Sequence, residues 1–219
     1  MTDPADPERT LALSYATPQS RAALAALFAL DDTLAQILRT TREPLVGQMR
    51  LTWWHQALCA LDTAPPPAQP VLQALAAEVL PRGVSGARLA EMIDGWEVLL
   101  EADPIGEDDI IAHGERRGAA LFAAAGTILG CAPADQTVAA GTGWALADLA
   151  GHLSDAQVAA RAAALARGKL DEAMAGRWSR AGRPLGALAL SARMDLSGKA
   201  QPAAPKRVAR LAWHRLTGR

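Results

Sequence analysis

The chain has 219 residues, half of them hydrophobic, and a formal net charge of −1. That length suits one domain with a sizeable core, and the near-neutral balance excludes the strong basic field of a nucleic-acid-binding protein. No apolar run approaches the ~18 residues that would span a bilayer, so the reading is a protein without a transmembrane segment.

Residues 1–10, acidic and broken by Pro4 and Pro7, match neither a signal nor a transit peptide and read as a flexible tail. After Thr17-Pro18, Leu24, Leu27, Phe28, Leu30, Leu34, Ile37 and Leu38 recur at helical spacing. Pro44 suits the first turn of a second helix, which is expected to pack Leu45, Met49 and Trp53 along one side and to stop at Pro65-Pro66-Pro67. A short helix follows over about 70–80, and Ser85 reads as the cap of another that ends at Asp103-Pro104. Helices are then expected from Glu107 to Leu129 with Gly130 as terminator, over 134–153, over 155–174 and near 184–194. Residues 195–205 read as a linker to a basic amphipathic helix at the end of the sequence.

Alanine is abundant, Val, Ile and Thr are sparse, and nothing alternates with period two. No repeat of 20–50 residues is evident. The expectation is one all-α domain spanning 1–219, a bundle of roughly eight or nine helices. Cys59 and Cys131 fall within helical patterns without CxxC spacing, and read as reduced thiols of a cytoplasmic protein.

Familiar catalytic motifs are absent: the sequence has no GxSxG elbow, P-loop or HExxH. His55 and Cys59 stand four apart on one helix, but zinc takes three or four protein ligands, so no metal site is assigned. Glu91, Asp94, Glu97 and Glu101 form an acidic stripe that a solvated helix face explains. Lys206, Arg207, Arg210, Arg215 and Arg219 could meet anionic lipid or a partner, although basic residues late in a helix also complement its dipole. Asp31-Asp32 is the most suggestive acidic pair. Carboxylates at i and i+4 point the same way and can share a Mg²⁺ ion, yet none follows Asp32 before Glu43.

The strings ALAALFALDDTLAQILRTTREPLVGQMRLTWWHQAL and LAEMIDGWEVLLEADPIGEDDIIAHGERRGAALFAAAGTILG resemble the squalene/phytoene synthase family over residues 11–153. The resemblance implies an isoprenoid-synthase-like bundle around a central cavity, with two Asp-rich helices facing each other. Active members join prenyl diphosphates head to head with Mg²⁺. Carried over residue by residue, the first Asp-rich motif falls at Ala35, Gln36 and Arg39, and the second at Asp148, Gly151 and His152; His113 stands where the family has a Tyr. Both motifs are thus incomplete, as in the phytoene-synthase-like assembly factor of respiratory complex I, a branch this sequence is similar to.

Two expectations follow. One is a non-catalytic family member that binds an isoprenoid or other lipid-like ligand, or a protein partner during respiratory-complex assembly, with no cofactor and with peripheral contact to the inner membrane left open. Its cavity would be walled by Leu27, Phe28, Met49, Trp53, His113, Phe122 and Trp144. The other is an active prenyl transferase that recruits Mg²⁺ through Asp31, Asp32, Asp148 and Asp155.

Overall fold

The structure, a computed structural model, describes residues 7–41, 43–198 and 204–219. All regular structure in them is helical. In chain order the elements are α1 (Pro7–Leu13), α2 (Pro18–Thr40), α3 (Pro44–Ala60), α4 (Pro70–Glu78), a 3₁₀ turn (Leu80–Arg82) and α5 (Gly86–Glu101). Then come α6 (Glu107–His113), a π segment (Gly114–Ala119), α7 (Ala120–Leu129), α8 (Thr137–His152), α9 (Ala156–Met174), α10 (Arg183–Leu196) and α11 (Pro205–Thr217). Because α6, the π segment and α7 run on without a break, they form the single helix over 107–129 that the sequence predicts.

The ends follow local chemistry. Pro18, Pro44 and Pro70 open α2, α3 and α4, where the missing N–H costs nothing. Ser85 Oγ accepts from the Arg88 N–H at 3.1 Å, while both Asp62 oxygens accept from Gly86 and Ala87. Those three bonds satisfy orphan donors at the start of α5. Gly130, at φ +67°, terminates α7 in the left-handed region where a side chain would be strained.

Helix α8 packs against α9, α10 and the π segment; α5 lies between the π segment and α3. Two glycine contacts bring these backbones unusually close. A Cβ on Gly118 would sit 2.1 Å from the Gly141 carbonyl oxygen, and the converse distance is the same. A Cβ on Gly95 of α5 would sit 2.5 Å from the Arg117 nitrogen. The helices therefore pack tightly around residues 117 and 118.

Three expectations need correction. Residues 7–10 are not a tail: they open α1, where Glu8 is 3% exposed and accepts from Arg207 Nε at 2.8 Å and from Ser191 Oγ. This buried pair fastens α1 to α10 and α11, and residues 1–6 lie outside the described part. Of the expected linker, Asp195 and Leu196 belong to α10, while 199–203 lie outside the described residues. Helix α3 also carries two apolar stripes, and it buries the one at Gly47, Leu51, Trp54 and Leu58. Leu45, Met49 and Trp53 face outward instead. Periodicity alone could not choose, because both stripes have helical spacing.

The glycine contacts predict a sharp contrast. Gly118→Ala should lower unfolding stability by about 2–3 kcal/mol, because backbone rather than a flexible side chain must yield. Gly168→Ala, mid-helix in α9 with nothing within 4 Å, should raise it by about 0.5–1 kcal/mol. Urea denaturation of the two variants checks both signs.

Candidate functional site

Helix α2 presents Asp31 to the bundle interior, and α8 presents Asp148 from the opposite side. Between them lies the Arg117 guanidinium, 3% exposed. Its Nε and NH2 groups donate to the two oxygens of Asp31, both at 2.8 Å, a fork-to-fork pair. NH1 donates to Asp148 Oδ2 at 2.7 Å and lies 3.3 Å from His113 Nε2. The rings of Trp96 and Trp144 cover the guanidinium, with centroids 4.1 and 4.9 Å from its central carbon. Edges and faces of the cation are thus both occupied, as a planar, weakly hydrated charge allows.

His113 completes the shell. Its Nδ1 is 2.6 Å from the Gly95 carbonyl oxygen. A carbonyl only accepts, so Nδ1 carries the proton and Nε2 offers its lone pair toward Arg117. Burial, and then the Arg117 charge, push the histidine's pKa from 6.5 down to about 3. It is held neutral. For Arg117 burial opposes the charge, but Asp31 and Asp148 outweigh it and raise the pKa. Burial likewise opposes ionisation of Asp148, and Arg117, with His152 adding to it, holds that carboxyl below its usual range.

The four candidate carboxylates do not share one space. Asp31 and Asp148 converge on Arg117. Asp32 points out of the bundle and accepts both ends of Arg9, at 2.8 and 2.9 Å, while the Arg9 guanidinium lies over Phe28. Asp155 caps α9, its Oδ1 accepting from Gln157 and Val158 N–H groups. The i+4 neighbours of the two converging carboxylates are Ala35, buried, and His152, exposed. Gln36 and Arg39, two of the positions that the family resemblance assigns to the first motif, are exposed as well. Asp31 is therefore the α2 position that looks toward α8, one turn earlier than expected. Helices α2 and α8 thus contribute one inward carboxylate each, with no carboxylate at the i+4 position.

Of the expected cavity walls, Leu27, Phe28, Phe122 and His113 are buried and Trp144 partly so. They pack on one another: Trp144 meets Phe28 edge-on at 5.9 Å and Phe122 at 5.6 Å. Met49 and Trp53 lie on the outer face of α3, 67% and 47% exposed, and so do not line the interior. Cys59 Sγ is 3.8 Å from His55 Nδ1, and no group of three His, Cys, Asp or Glu side chains able to hold a metal occurs among the described residues.

Arg117, Trp96 and Arg9 were not foreseen. The available signal was Arg117 itself: it lies in HGERRGAALFAAAG, a run too rich in small and apolar residues to leave its whole circumference in water. A cation on a buried helix face requires a carboxylate partner.

The geometry defines a class: an all-helical bundle with one carboxylate on each of two facing helices. The model of the squalene/phytoene synthase family matches residues 2–155, most of the chain, and the chain belongs to that family. The bundle is accordingly the helical, isoprenoid-synthase-like fold. No curated protein and no solved structure matches the chain. No helix among the described residues is long and apolar enough to cross a membrane.

Removing Arg117 should be far worse than removing the whole pair. Arg117→Met leaves Asp31 charged and buried, and should cost about 3–5 kcal/mol of stability; adding Asp31→Leu should recover most of that loss. A double-mutant cycle by urea denaturation measures the coupling. His113 predicts the response to acid. Below pH 6.5 the unfolded chain takes up a proton that folded His113 refuses until about 3. Stability therefore falls as pH falls through that window, by up to about 1.4 kcal/mol per pH unit for each such histidine. His214, also depressed by burial, adds in the same direction. His113→Gln should leave the slope unchanged near pH 8 and flatten it by nearly one proton at pH 5.5.

Proposed function

We propose that this protein is a non-catalytic member of the family, one that acts by binding a partner protein in an assembly role rather than by condensing prenyl diphosphates. The observation that carries this reading is the Arg117 guanidinium spanning Asp31 and Asp148. Prenyl-diphosphate chemistry needs divalent cations between such carboxylates, to grip and neutralise the leaving group. Here both oxygens of Asp31 and one of Asp148 already accept from an arginine, and the i+4 positions offer Ala35 and His152. Mg²⁺ prefers near-octahedral oxygen coordination. This donor set does not fit it.

A guanidinium cannot stand in for the metals. It carries one charge, its N–H groups are committed to Asp31, Asp148 and His113, and two tryptophans shield its faces. A diphosphate entering this level of the bundle would meet a buried, fully paired cation. Its charge would go uncompensated in a low-dielectric site, at a cost of several kcal/mol. The packed rings of Phe28, Phe122 and Trp144 also weigh against a long isoprenoid chain at this depth. The outer surface is more promising: Leu45, Val46, Met49 and Trp53 make an exposed apolar stripe on α3. Monomeric proteins seldom leave such a patch uncovered. An assembly role resembling that of the complex I branch agrees with this surface.

The decisive experiment is diphosphate release on incubation of the folded protein with farnesyl or geranylgeranyl diphosphate and Mg²⁺. The expected result is no release above a protein-free control. Release that disappears in Asp31→Asn and Asp148→Asn variants shown to be folded would overturn this reading, and would mean that Arg117 leaves the carboxylates when substrate arrives.

A further inference from the structure

The outward face of α11 combines exposed apolar side chains with flanking cations. The helix buries Arg207, Leu211 and His214, and the opposite face presents Trp213 at 55% and Leu216 at 73% exposure. Ala209 and Ala212 lie on the same outer stripe at helical spacing and are exposed. Cations flank the stripe: Lys206 and Arg210 on one side, Arg215 on the other. No acidic residue occurs anywhere in 204–219.

From this arrangement we propose that α11 docks the protein on an anionic lipid surface, lying in the plane of the interface with Trp213 and Leu216 entering the headgroup boundary. Three features favour a bilayer as the occupant. An apolar stripe bordered by lysine and arginine on both sides is the pattern of a helix that lies along a membrane surface. Tryptophan is the side chain that prefers that depth, being apolar in body with one polar N–H. The third concerns the helix end. The negative end of the α11 dipole would normally face outward near Leu216, but Arg177 Nε donates to the Thr217 carbonyl and Arg183 NH1 to the Arg215 carbonyl. Two further cations therefore cover the partial charge that would repel lipid phosphates.

The seat is firm. The far side of α11 is fixed by the buried Arg207, whose guanidinium donates to Glu8 of α1, to Asp195 of α10 and to the Ser191 carbonyl. Near the helix end, the Arg215 guanidinium lies 5.0 Å from the centroid of the Tyr15 ring. Docking then needs no unfolding of α11 from the bundle, and little ordering cost opposes it. Each exposed cation near an anionic surface adds to the attraction, and salt screens it. The apolar residues add their transfer into the interface.

The test uses the full chain and sedimentation with vesicles of phosphatidylcholine, with and without phosphatidylglycerol. The protein should pellet with the mixed vesicles and stay in solution with the neutral ones, and added salt should weaken binding. Trp213→Ser with Leu216→Ser should lower partition to the anionic vesicles by about tenfold or more. Lys206→Glu with Arg210→Glu should do at least as much. All four positions are exposed, and circular dichroism confirms that the variants keep their helices. Equal binding to neutral vesicles, or unchanged partition of both variants, would overturn the proposal. Failure to bind either vesicle would overturn it too. None of these outcomes depends on whether the protein releases diphosphate.

Discussion

A guanidinium withdrawn almost wholly from water costs several kcal/mol unless opposite charge and hydrogen bonds surround it. The middle of this bundle is arranged around that constraint. Arg117 can lie where it does only because α2 and α8 each hold a carboxylate to it, because a neutral histidine fills a remaining edge, and because two indole rings cover its faces. The glycines follow from the same demand. Gly95 lets α5 approach the Arg117 backbone and Gly118 lets the π segment meet Gly141 of α8, so the three helices close tightly around one cation. The π segment is where Arg117 leaves the helix, and such single-turn irregularities commonly mark positions whose side-chain direction matters.

This arrangement inverts the electrostatics on which active relatives are expected to depend. Facing carboxylates normally concentrate negative charge so that divalent cations and their diphosphates can be drawn in. Here a covalently attached cation neutralises much of that charge, and its raised pKa keeps it charged at any physiological pH. A metal can exchange and move with its substrate. An arginine anchored in the helix wall, forked onto Asp31 and packed between Trp96 and Trp144, has a fixed position. Under the reading proposed above, this cation belongs to the scaffold and the protein's role lies in binding.

The architecture was largely legible in the sequence because helix signals are local. Proline at the start of α2, α3 and α4, Ser85 before α5 and Gly130 after α7 each act within one turn. The elements that escaped reading are those fixed by distant partners. The sequence PERTLAL is too short to announce a helix; α1 exists because Glu8 meets Arg207 at the other end of the chain. The two apolar stripes of α3 could be separated only by seeing α5 pack onto one of them. In the candidate site, Asp31 and Asp148 were visible as acidic residues on helices, but their common partner was not. An arginine 86 positions from Asp31 carries no periodic signature; its only trace was a charge in an otherwise small and apolar run.

The two ends of the chain show why surface and interior must be read together. Arg207 and Arg210 belong to the same basic helix and differ by less than one turn, yet one is 2% exposed and holds Glu8, while the other faces solvent beside Trp213. Counting positive charges along α11 assigns both to one surface. Burial separates them: Arg207 seats the helix, and the cations that remain outside flank an apolar stripe that nothing in the bundle covers. A helix that only needed solubility would put charge on its outermost line. Here Trp213 and Leu216 occupy that line and charge occupies its borders, an order that is favourable at a boundary between water and lipid and costly in water alone.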